Sequence, residues 1–328
     1  MLKSIFHTIN LKRLNNLLRC RLSYAKSTMG IVEFNHYPTF ISIEPANFCM
    51  LSCPECPIGA MKGHNANNAM YFSPDTLSKI LDEIGDNLNV IIFHFQGEPL
   101  LNKQISQLIR MAKSYGIYTI LSTNAQLLTS EMARQLINSG LDKIIVSIDG
   151  FTQETYQQYR IGGSLEKALA GLKFLRAAKD TNRSDIEIEL QCLRLKSNEG
   201  QWAWLKQNYK SLGADTLTLK TAQFNNFRHG NRLMPTESKY SRYRRGKNGI
   251  YERKKPYHNF CYRLWSGCVI DAEGNVLPCC FDKNHRYIFG NITKESFVDI
   301  WFGKEANDFR KQLLHERKKI KMCLNCTE

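Results

Sequence analysis

The sequence lacks any apolar run that approaches the roughly 18 residues needed for a membrane-spanning helix. It also contains no low-complexity tract and no repeat of fixed period. These absences argue against integral membrane, fibrous and solenoid proteins. The 328 residues are 43% hydrophobic and 23% charged, an ordinary globular composition that can fill the core of one large domain with a small appendage.

The first 26 residues contain no acidic side chain. A secretory signal would follow its basic residues with an unbroken apolar stretch of about 7–15 residues, whereas here polar residues separate apolar ones at near-helical spacing. We therefore predict a basic amphipathic helix and linker over residues 1–38, and a cytoplasmic protein. Two roles are open for the helix: packing against its own domain, which we favour, and peripheral contact with a membrane surface.

Eleven cysteines are present, although the chain is long and has no signal peptide. Disulfide frameworks normally belong to short secreted chains, so clustered thiolates that bind metal are the better interpretation. The formal net charge of +15 is concentrated in the N-terminal segment and in residues 239–255 and 310–321. Such stretches form solvated faces or attract phosphate-bearing substrates, nucleic acid or anionic lipid. Residues 221–260 contain no recognisable RNA-binding module, so we expect no stable nucleic-acid partner.

From residue 39 onwards, short β-branched runs alternate with segments of helical periodicity. Six such units predict an α/β fold, a partial (β/α)6 barrel over residues 39–220, with its chemistry at the carboxyl ends of the strands. A connecting segment over 221–260 and a cysteine-rich module over 261–328 follow. The predicted strands are 39–44, 90–95, 117–122, 143–148, 185–193 and 215–220, and the predicted helices are 74–86, 102–115, 129–139, 164–179 and 199–211.

Three cysteines, Cys49, Cys53 and Cys56, have the spacing C-x3-C-x2-C directly after the first predicted strand. Three thiolates can hold three irons of a [4Fe–4S] cubane and leave the fourth iron open for a ligand. The alternatives are a zinc site that lacks its fourth ligand and buried structural thiols. In this segment the sequence resembles the radical S-adenosylmethionine (SAM) superfamily, in which the same cysteine triplet follows the first barrel strand.

The resemblance implies that SAM binds the open iron and that one electron, supplied by a flavodoxin- or ferredoxin-type reductant, cleaves it. The resulting 5′-deoxyadenosyl radical abstracts hydrogen from a substrate C–H bond. Strand-end residues that match the family's SAM-binding elements are Gln96, Gly97, Glu98, Ser122, Asn124, Ser147 and Arg160. Two positions depart from the family pattern: Glu55 replaces a common aromatic residue, and Gln96 replaces the first glycine of a Gly-Gly-Glu-Pro element.

The last 68 residues contain six cysteines and a predicted β-hairpin with its turn near Glu273-Gly274. This region resembles the SPASM extension of radical SAM enzymes in its form with one auxiliary [4Fe–4S] cluster. The resemblance implies four thiolate ligands and leaves two spare cysteines, with Cys279 favoured over its neighbour Cys280. A zinc ribbon is the alternative. The expected ligands are Cys261, Cys279, Cys323 and Cys326, and the spare residues are Cys268 and Cys280.

The resemblance implies a SAM-dependent oxidoreductase whose auxiliary cluster assists net oxidation. Only 48 residues precede Cys49, too few for the leader-binding domain of many peptide maturases, so we expect a small or carrier-bound substrate. A peptide or protein maturase is the alternative, followed by an RNA-modifying enzyme or a non-enzymatic electron carrier. The sequence assigns no catalytic base or hydrogen donor; Asp149 and Cys192 are candidates, but a strand-end cap and a core residue explain them better.

Overall fold

The computed structural model describes residues 10–60 and 69–327, so the first nine residues of the predicted N-terminal helix lie outside it. Its strands are β1 (Phe40–Ile43), β2 (Val90–Phe93), β3 (Tyr118–Thr123), β4 (Lys143–Ser147), β5 (Glu187–Arg194), β6 (Thr216–Thr221), β7 (Tyr243–Arg245), β8 (Tyr251–Arg253), β9 (Gly267–Ile270), β10 (Asn275–Leu277) and β11 (Gly290–Asn291). Its helices are α1 (Leu11–Thr28), α2 (Pro57–Ala60), α3 (Pro74–Ile84), α4 (Ile105–Ser114), α5 (Ser130–Asn138), α6 (Gln153–Gln157), α7 (Leu165–Thr181), α8 (Trp202–Asn208), α9 (Tyr262–Ser266), α10 (Phe297–Phe302) and α11 (Lys304–Glu316).

Strands β1 to β6 pair in sequence order, and every pair is parallel. Helices connect them, as parallel pairing requires. The predicted partial (β/α)6 barrel is therefore confirmed, and each predicted strand overlaps the observed one. All carboxyl ends of these strands lie at the same edge, where the chemistry of such barrels is found.

The helix boundaries follow from local side-chain chemistry. Ser73 caps α3 by accepting a hydrogen bond from the Thr76 amide at 3.1 Å, and Pro74 occupies the first turn. Gly116 and Gly140 follow the ends of α4 and α5 with positive φ angles of 66° and 79°, which glycine adopts without steric cost. These turns lead directly into the next strand.

The C-terminal module continues the barrel sheet. Strand β9 pairs in parallel with β1, and β10 and β11 follow as antiparallel neighbours, which gives a nine-stranded sheet. The predicted hairpin is confirmed as β9 and β10, with Gly274 at a φ of 86° in its turn. The connecting segment contains an antiparallel pair, β7 and β8, that sequence periodicity did not indicate.

Helix α1 packs on the barrel, as expected, but through a polar face. The guanidinium of Arg13 donates to the carbonyl oxygens of Gly116 at 2.7 Å and Gly85 at 3.2 Å. These carbonyls follow the carboxyl ends of α4 and α3, where a positive charge is favourable. Among the residues that the structure describes, no helix is long and apolar enough to cross a membrane.

Candidate active site

A cavity of about 250 Å³ lies at the carboxyl ends of the barrel strands. Every residue assigned from the sequence to the SAM-binding cluster or to SAM lines this one cavity, although these residues come from separate strand ends. The structure therefore brings together Cys49, Cys53, Cys56, Gln96, Gly97, Glu98, Ser122, Asn124, Ser147 and Arg160.

The barrel interior has an apolar layer below the cavity and a polar layer around it. The apolar layer is a small cluster that includes Phe40, Val90 and Ile120 near the start of β1, β2 and β3. Because side chains alternate along a strand, positions two residues apart share the inner face. The polar layer contains Ser122, Ser147 and Gln191, all of which line the cavity.

The cysteine triplet lies on the loop after β1 and leads into α2. The Asn124 side-chain amide and the Leu51 backbone amide approach the Cys49 sulfur at 3.4 and 3.5 Å. Burial raises the pKa of Cys49 to about 12 and also raises the pKa of Cys53. A bound iron centre would reverse this effect, since a coordinated thiol is deprotonated outright.

A close backbone approach shapes the turn after β2. A Cβ atom on Gly97 would lie 1.8 Å from the carbonyl oxygen of Ala46, so only glycine fits there. The buried Glu44 carboxylate accepts hydrogen bonds from the amides of Gln96 and Gly97, both at 3.2 Å. Burial raises the pKa of Glu44 to about 7. Sequence reasoning missed Glu44; an acidic residue directly after the buried β1 was the available signal.

Glu98 joins the end of β2 to the end of β3. Its carboxylate accepts hydrogen bonds from the Thr123 hydroxyl at 2.5 Å, the Asn124 amide at 2.9 Å and the Leu100 amide at 3.2 Å. Burial raises the pKa of Glu98, and the Asn124 amide partly offsets the increase. Glu98 therefore fixes the turn that carries Asn124 to the cysteine triplet.

Arg160 reaches the cavity from the loop after α6 and pairs with Asp149. Its Nε donates to the Asp149 carboxylate at 2.6 Å, and the other carboxylate oxygen accepts from the Leu193 amide at 2.6 Å. Burial lowers the pKa of Arg160, but Asp149 outweighs this effect and the pKa lies well above its usual value. Asp149 thus positions Arg160, and the fully buried Cys192 belongs to the hydrophobic core. The explanations preferred from the sequence for Asp149 and Cys192 agree with these contacts.

The C-terminal module supplies one wall of the cavity. Cys280 and Lys283 both line it, and the Gln96 side-chain amide donates to the Lys283 carbonyl oxygen at 2.9 Å. Glu55 provides a second connection to the later part of the chain, because its carboxylate accepts from the Asn225 amide at 2.6 Å and the Asn231 side chain at 2.7 Å. Gln96 therefore joins the turn after β2 to the C-terminal module, and Glu55 joins the cysteine loop to the segment after β6.

A second, smaller cavity of about 20 Å³ lies inside the C-terminal module. All four cysteines predicted as auxiliary ligands line it: Cys261, Cys279, Cys323 and Cys326. Of the two spare cysteines, Cys268 is 1% exposed within the core, and Cys280 lines the barrel cavity instead. Burial raises the pKa of Cys279 well above its usual value. The guanidinium of Arg317 lies 3.6 Å from the Cys326 sulfur, where its charge favours a thiolate.

The thiol donors fit the two expected clusters. Three thiols around an open cavity suit a cluster with one free iron, and four thiols around an enclosed cavity suit a fully ligated one. Within residues 10–60 and 69–327, no group of three or more His, Cys, Asp or Glu side chains could hold a single metal ion. The fit therefore rests on the number, chemistry and surroundings of the thiols.

Several cavity residues were not identified from the sequence. His94 and Gln191 line the cavity, and Nδ1 of His94 has no hydrogen-bond partner among the described residues. Burial lowers the pKa of His94 to about 4, so its imidazole is neutral. The available signal was a polar residue at an inward position of an otherwise apolar strand run. Lys283 gave no such signal, since only the tertiary fold brings it to the barrel.

Comparison with known proteins finds a family match for the barrel and another for the C-terminal module. Residues 43–185 match the radical SAM superfamily, and residues 261–327 match the SPASM iron–sulfur cluster-binding domain. An AdoMet-dependent heme synthase of Methanosarcina barkeri is 25% identical over 318 residues, covering 86% of each chain. A PqqA peptide cyclase of Bradyrhizobium diazoefficiens is 28% identical over 290 residues, covering 82% of this chain and 74% of the cyclase.

The fold is also similar to a solved structure, that of BtrN in complex with AdoMet and 2-DOIA. The two structures superpose with a TM-score of 0.55 at 21% sequence identity, over 90% of this chain and 95% of the other. The similarity extends through the barrel and the C-terminal module, because almost the whole of both chains is covered.

Proposed function

Because this chain is a member of the radical SAM superfamily and ends in a SPASM domain, we propose that it is an oxidoreductase acting on a small or carrier-bound substrate. Its cofactors are SAM, a SAM-binding [4Fe–4S] cluster and an auxiliary [4Fe–4S] cluster. The observation that carries the proposal is the placement of two neighbouring residues. Cys279 lines the auxiliary-cluster cavity, and Cys280 lines the barrel cavity.

This placement favours net oxidation of the substrate. A four-thiolate site has no open iron and suits electron transfer, and here it lies one residue away from the wall of the substrate cavity. Cys49, Cys53 and Cys56 would hold the first cluster, and Cys261, Cys279, Cys323 and Cys326 the second. When bound, the first cluster and SAM supply one-electron cleavage of SAM and hydrogen abstraction from the substrate.

The chain's own residues orient the reactants. Arg160 presents a guanidinium that Asp149 holds in place, which suits a carboxylate such as that of SAM. Glu98 fixes Asn124 beside the cysteine triplet, and Gly97 leaves room for close backbone approach. Lys283 of the C-terminal module lines the same cavity, and its ammonium group favours a substrate with an anionic group.

The cavity is walled by the strand ends and by Cys280 and Lys283 of the C-terminal module, which favours a small substrate, or a small group on a carrier, as the molecule that enters beside SAM. Peptide modification is the second candidate function. The PqqA peptide cyclase favours it, because that relative aligns with 82% of this chain. The supply of electrons would come from a flavodoxin- or ferredoxin-type protein in either case.

The test of the chemistry is formation of 5′-deoxyadenosine. Anaerobically reconstituted protein, reduced with dithionite and given SAM, should release it, and a variant with Cys49, Cys53 and Cys56 all replaced by Ala should not. That variant should keep about four of about eight irons. Cys20→Ser is the matched control, since Cys20 is buried beside Trp265 and lines neither cavity. Retained 5′-deoxyadenosine formation in the triple variant would refute the proposal.

The substrate class can be tested with fractionated cell extract. The small-molecule fraction should stimulate 5′-deoxyadenosine formation if the substrate is free, and the macromolecular fraction should do so if it is carrier-bound. Stimulation by the macromolecular fraction that protease treatment removes would favour the peptide alternative over both.

A further inference from the structure

Helix α1 has its faces reversed relative to an ordinary surface helix. Its buried residues are Arg13, Asn16, Cys20, Ser23 and Ser27, four of which are polar. Its leucines lie on the outside: Leu11 is 86% exposed, Leu14 39%, Leu18 60% and Leu22 59%. A helix on a globular protein normally buries its apolar stripe against the core, so this arrangement requires a different explanation.

The polar face has a clear structural role. Arg13 binds carbonyl oxygens that follow α3 and α4, and the Asn16 side chain accepts from the Tyr37 amide at 2.9 Å and donates to the Asn87 carbonyl at 3.3 Å. These contacts bridge segments far apart in the sequence, so α1 is held in one orientation. The leucine stripe therefore faces outwards because the other face is committed to the barrel.

The exposed leucines form one continuous stripe. Positions 11, 14, 18 and 22 are three or four residues apart, the spacing at which side chains adjoin on a helix surface. All four remain exposed in the described part of the chain, and Met29 and Ile31 beyond the helix end are 77% and 51% exposed. Contiguous exposed apolar surface of this kind marks an interaction site.

The charges beside the stripe indicate what covers it. Helix α1 contains no acidic residue, and basic side chains flank the leucines on both sides. Lys12 pairs with Asp86 and Lys26 pairs with Glu33. Arg19 makes no ion pair with any described residue, and Arg21 lies over the Tyr262 ring. A second copy of the helix would bring like charges together, whereas an anionic surface would complement them.

We propose that α1 lies in the interface of an anionic lipid membrane, with its leucine stripe inserted between the lipids and Arg19 and Arg21 at the headgroups. A helix with an apolar stripe and a basic polar surround is the form that lies in the plane of the interface. The carbonyls that Arg13 binds belong to the amino-terminal end of the barrel strands, because α3 and α4 end there. The active-site cavity lies at the opposite end of the strands. The membrane would therefore not block the entrance to the cavity.

Vesicle co-sedimentation of the full-length protein tests the proposal. Vesicles of phosphatidylcholine with phosphatidylglycerol should bind the wild type, and pure phosphatidylcholine should bind it several-fold more weakly. Replacing Leu18 and Leu22 together by Glu should weaken binding about a hundredfold, since each leucine transferred from water to lipid is worth about tenfold. Phe174→Glu, on the 38% exposed side chain of α7, is the matched control and should bind like the wild type.

The charge contribution has its own variant. Arg19→Gln should weaken binding to the anionic vesicles about fivefold and leave binding to neutral vesicles unchanged. Lys206→Gln, on the exposed face of α8, also removes one positive charge but lies outside α1. It should change binding to neither the anionic nor the neutral vesicles. Iron content and melting temperature, measured for each variant, confirm that the fold is intact.

Analytical ultracentrifugation without lipid tests the alternative that the leucine stripe is a subunit interface. If the wild type is a dimer that the Leu18→Glu, Leu22→Glu variant converts to a monomer, and vesicles bind neither, the stripe is a subunit interface and the proposal is wrong. Equal vesicle binding by the wild type and the leucine variant would also overturn it.

Discussion

The side-chain amide of Gln96 donates a hydrogen bond to the backbone carbonyl oxygen of Lys283 at 2.9 Å. The bond ties the end of β2 to the C-terminal module across 187 positions of sequence. Gln96 stands where the family pattern has glycine, which has no side chain to make such a bond. The departure from the pattern therefore acquires a structural role: it holds the wall that carries Cys280 and Lys283 against the barrel.

Replacing Gln96 by Ala should loosen this wall. A hydrogen bond of this kind contributes about 1 kcal/mol, so the folded state should persist while the segment around Lys283 opens more often. Hydrogen exchange followed by mass spectrometry should show faster exchange in the peptide that contains Cys280 and Lys283. Gln107→Ala, on the exposed face of α4, is the control. Unchanged exchange in the Gln96 variant would mean that the bond does not hold the wall.

The buried Glu44 should make stability depend on pH. Its pKa is about 7 in the folded protein because of burial, and about 4.3 for an unperturbed glutamate. Between these values the folded state binds more protons than the unfolded state, so stability should fall as pH rises from about 5 to 7. Well above pH 7 the ionised carboxylate costs up to about 4 kcal/mol of folding free energy.

Glu44→Gln keeps an oxygen that can accept from the Gln96 and Gly97 amides but carries no charge. We therefore expect it to be more stable than the wild type at pH 8 and about equal at pH 4, measured by urea unfolding under anaerobic conditions. Glu166→Gln, on an exposed position of α7, should show no such pH-dependent difference. A constant difference between Glu44→Gln and the wild type across this range would contradict the assignment.

The barrel and its ligand set followed from the sequence because both depend on short-range patterns. Strand and helix periodicity fixed the six units, and the cysteine spacing fixed the triplet that Asn124 approaches. What the sequence did not reveal depends on tertiary contacts. Lys283 reaches the cavity only because β9 pairs with β1. The outward orientation of the leucine stripe of α1 depends on the hydrogen bonds from Arg13 to the carbonyl oxygens of residues 85 and 116. Apolar periodicity predicts that a helix carries an apolar stripe, but it does not predict whether that stripe faces the core or the solvent.

Arg160→Ala should weaken SAM binding ten- to a hundredfold, which corresponds to about 1.5–3 kcal/mol for a charge-assisted pair. It should also lower stability, because it leaves Asp149, which is 1% exposed, without its ion-pair partner. Arg160→Lys separates the two effects: the lysine keeps a positive charge near Asp149 but cannot form a bidentate pair. Equilibrium SAM binding and thermal unfolding are the two measurements. An unchanged SAM dissociation constant in both variants would show that Arg160 serves only the fold.

Cys279 and Cys280 should differ in their effect on iron content. Cys279 lines the cavity with the three other auxiliary cysteines, whereas Cys280 lines the barrel cavity. Cys279→Ala should therefore lower iron from about eight to about four per chain, and Cys280→Ala should leave about eight. Colorimetric iron and sulfide analysis after anaerobic reconstitution measures both. The reverse result would identify Cys280 as the ligand, and Cys280 would then not be part of the wall of the barrel cavity.

The role of the auxiliary site can be tested by replacing Cys323 and Cys326 together by Ala. If the site accepts electrons from the substrate, SAM cleavage should continue at the barrel while formation of the oxidised product stops. Loss of the ligands also affects folding of the module, since thiolate ligation couples metal binding to folding. Activity alone therefore does not distinguish an electron-transfer role from a structural one.

Metal analysis of the wild type provides the second readout. Anaerobically prepared protein should contain about eight irons and no stoichiometric zinc, and the double variant should lose about four irons while its barrel cluster keeps its absorbance. If the four cysteines hold zinc instead, the electron-transfer role is wrong, because zinc has no redox chemistry. The module would then only close the cavity through Cys280 and Lys283, and the reaction would be a redox-neutral rearrangement or epimerisation.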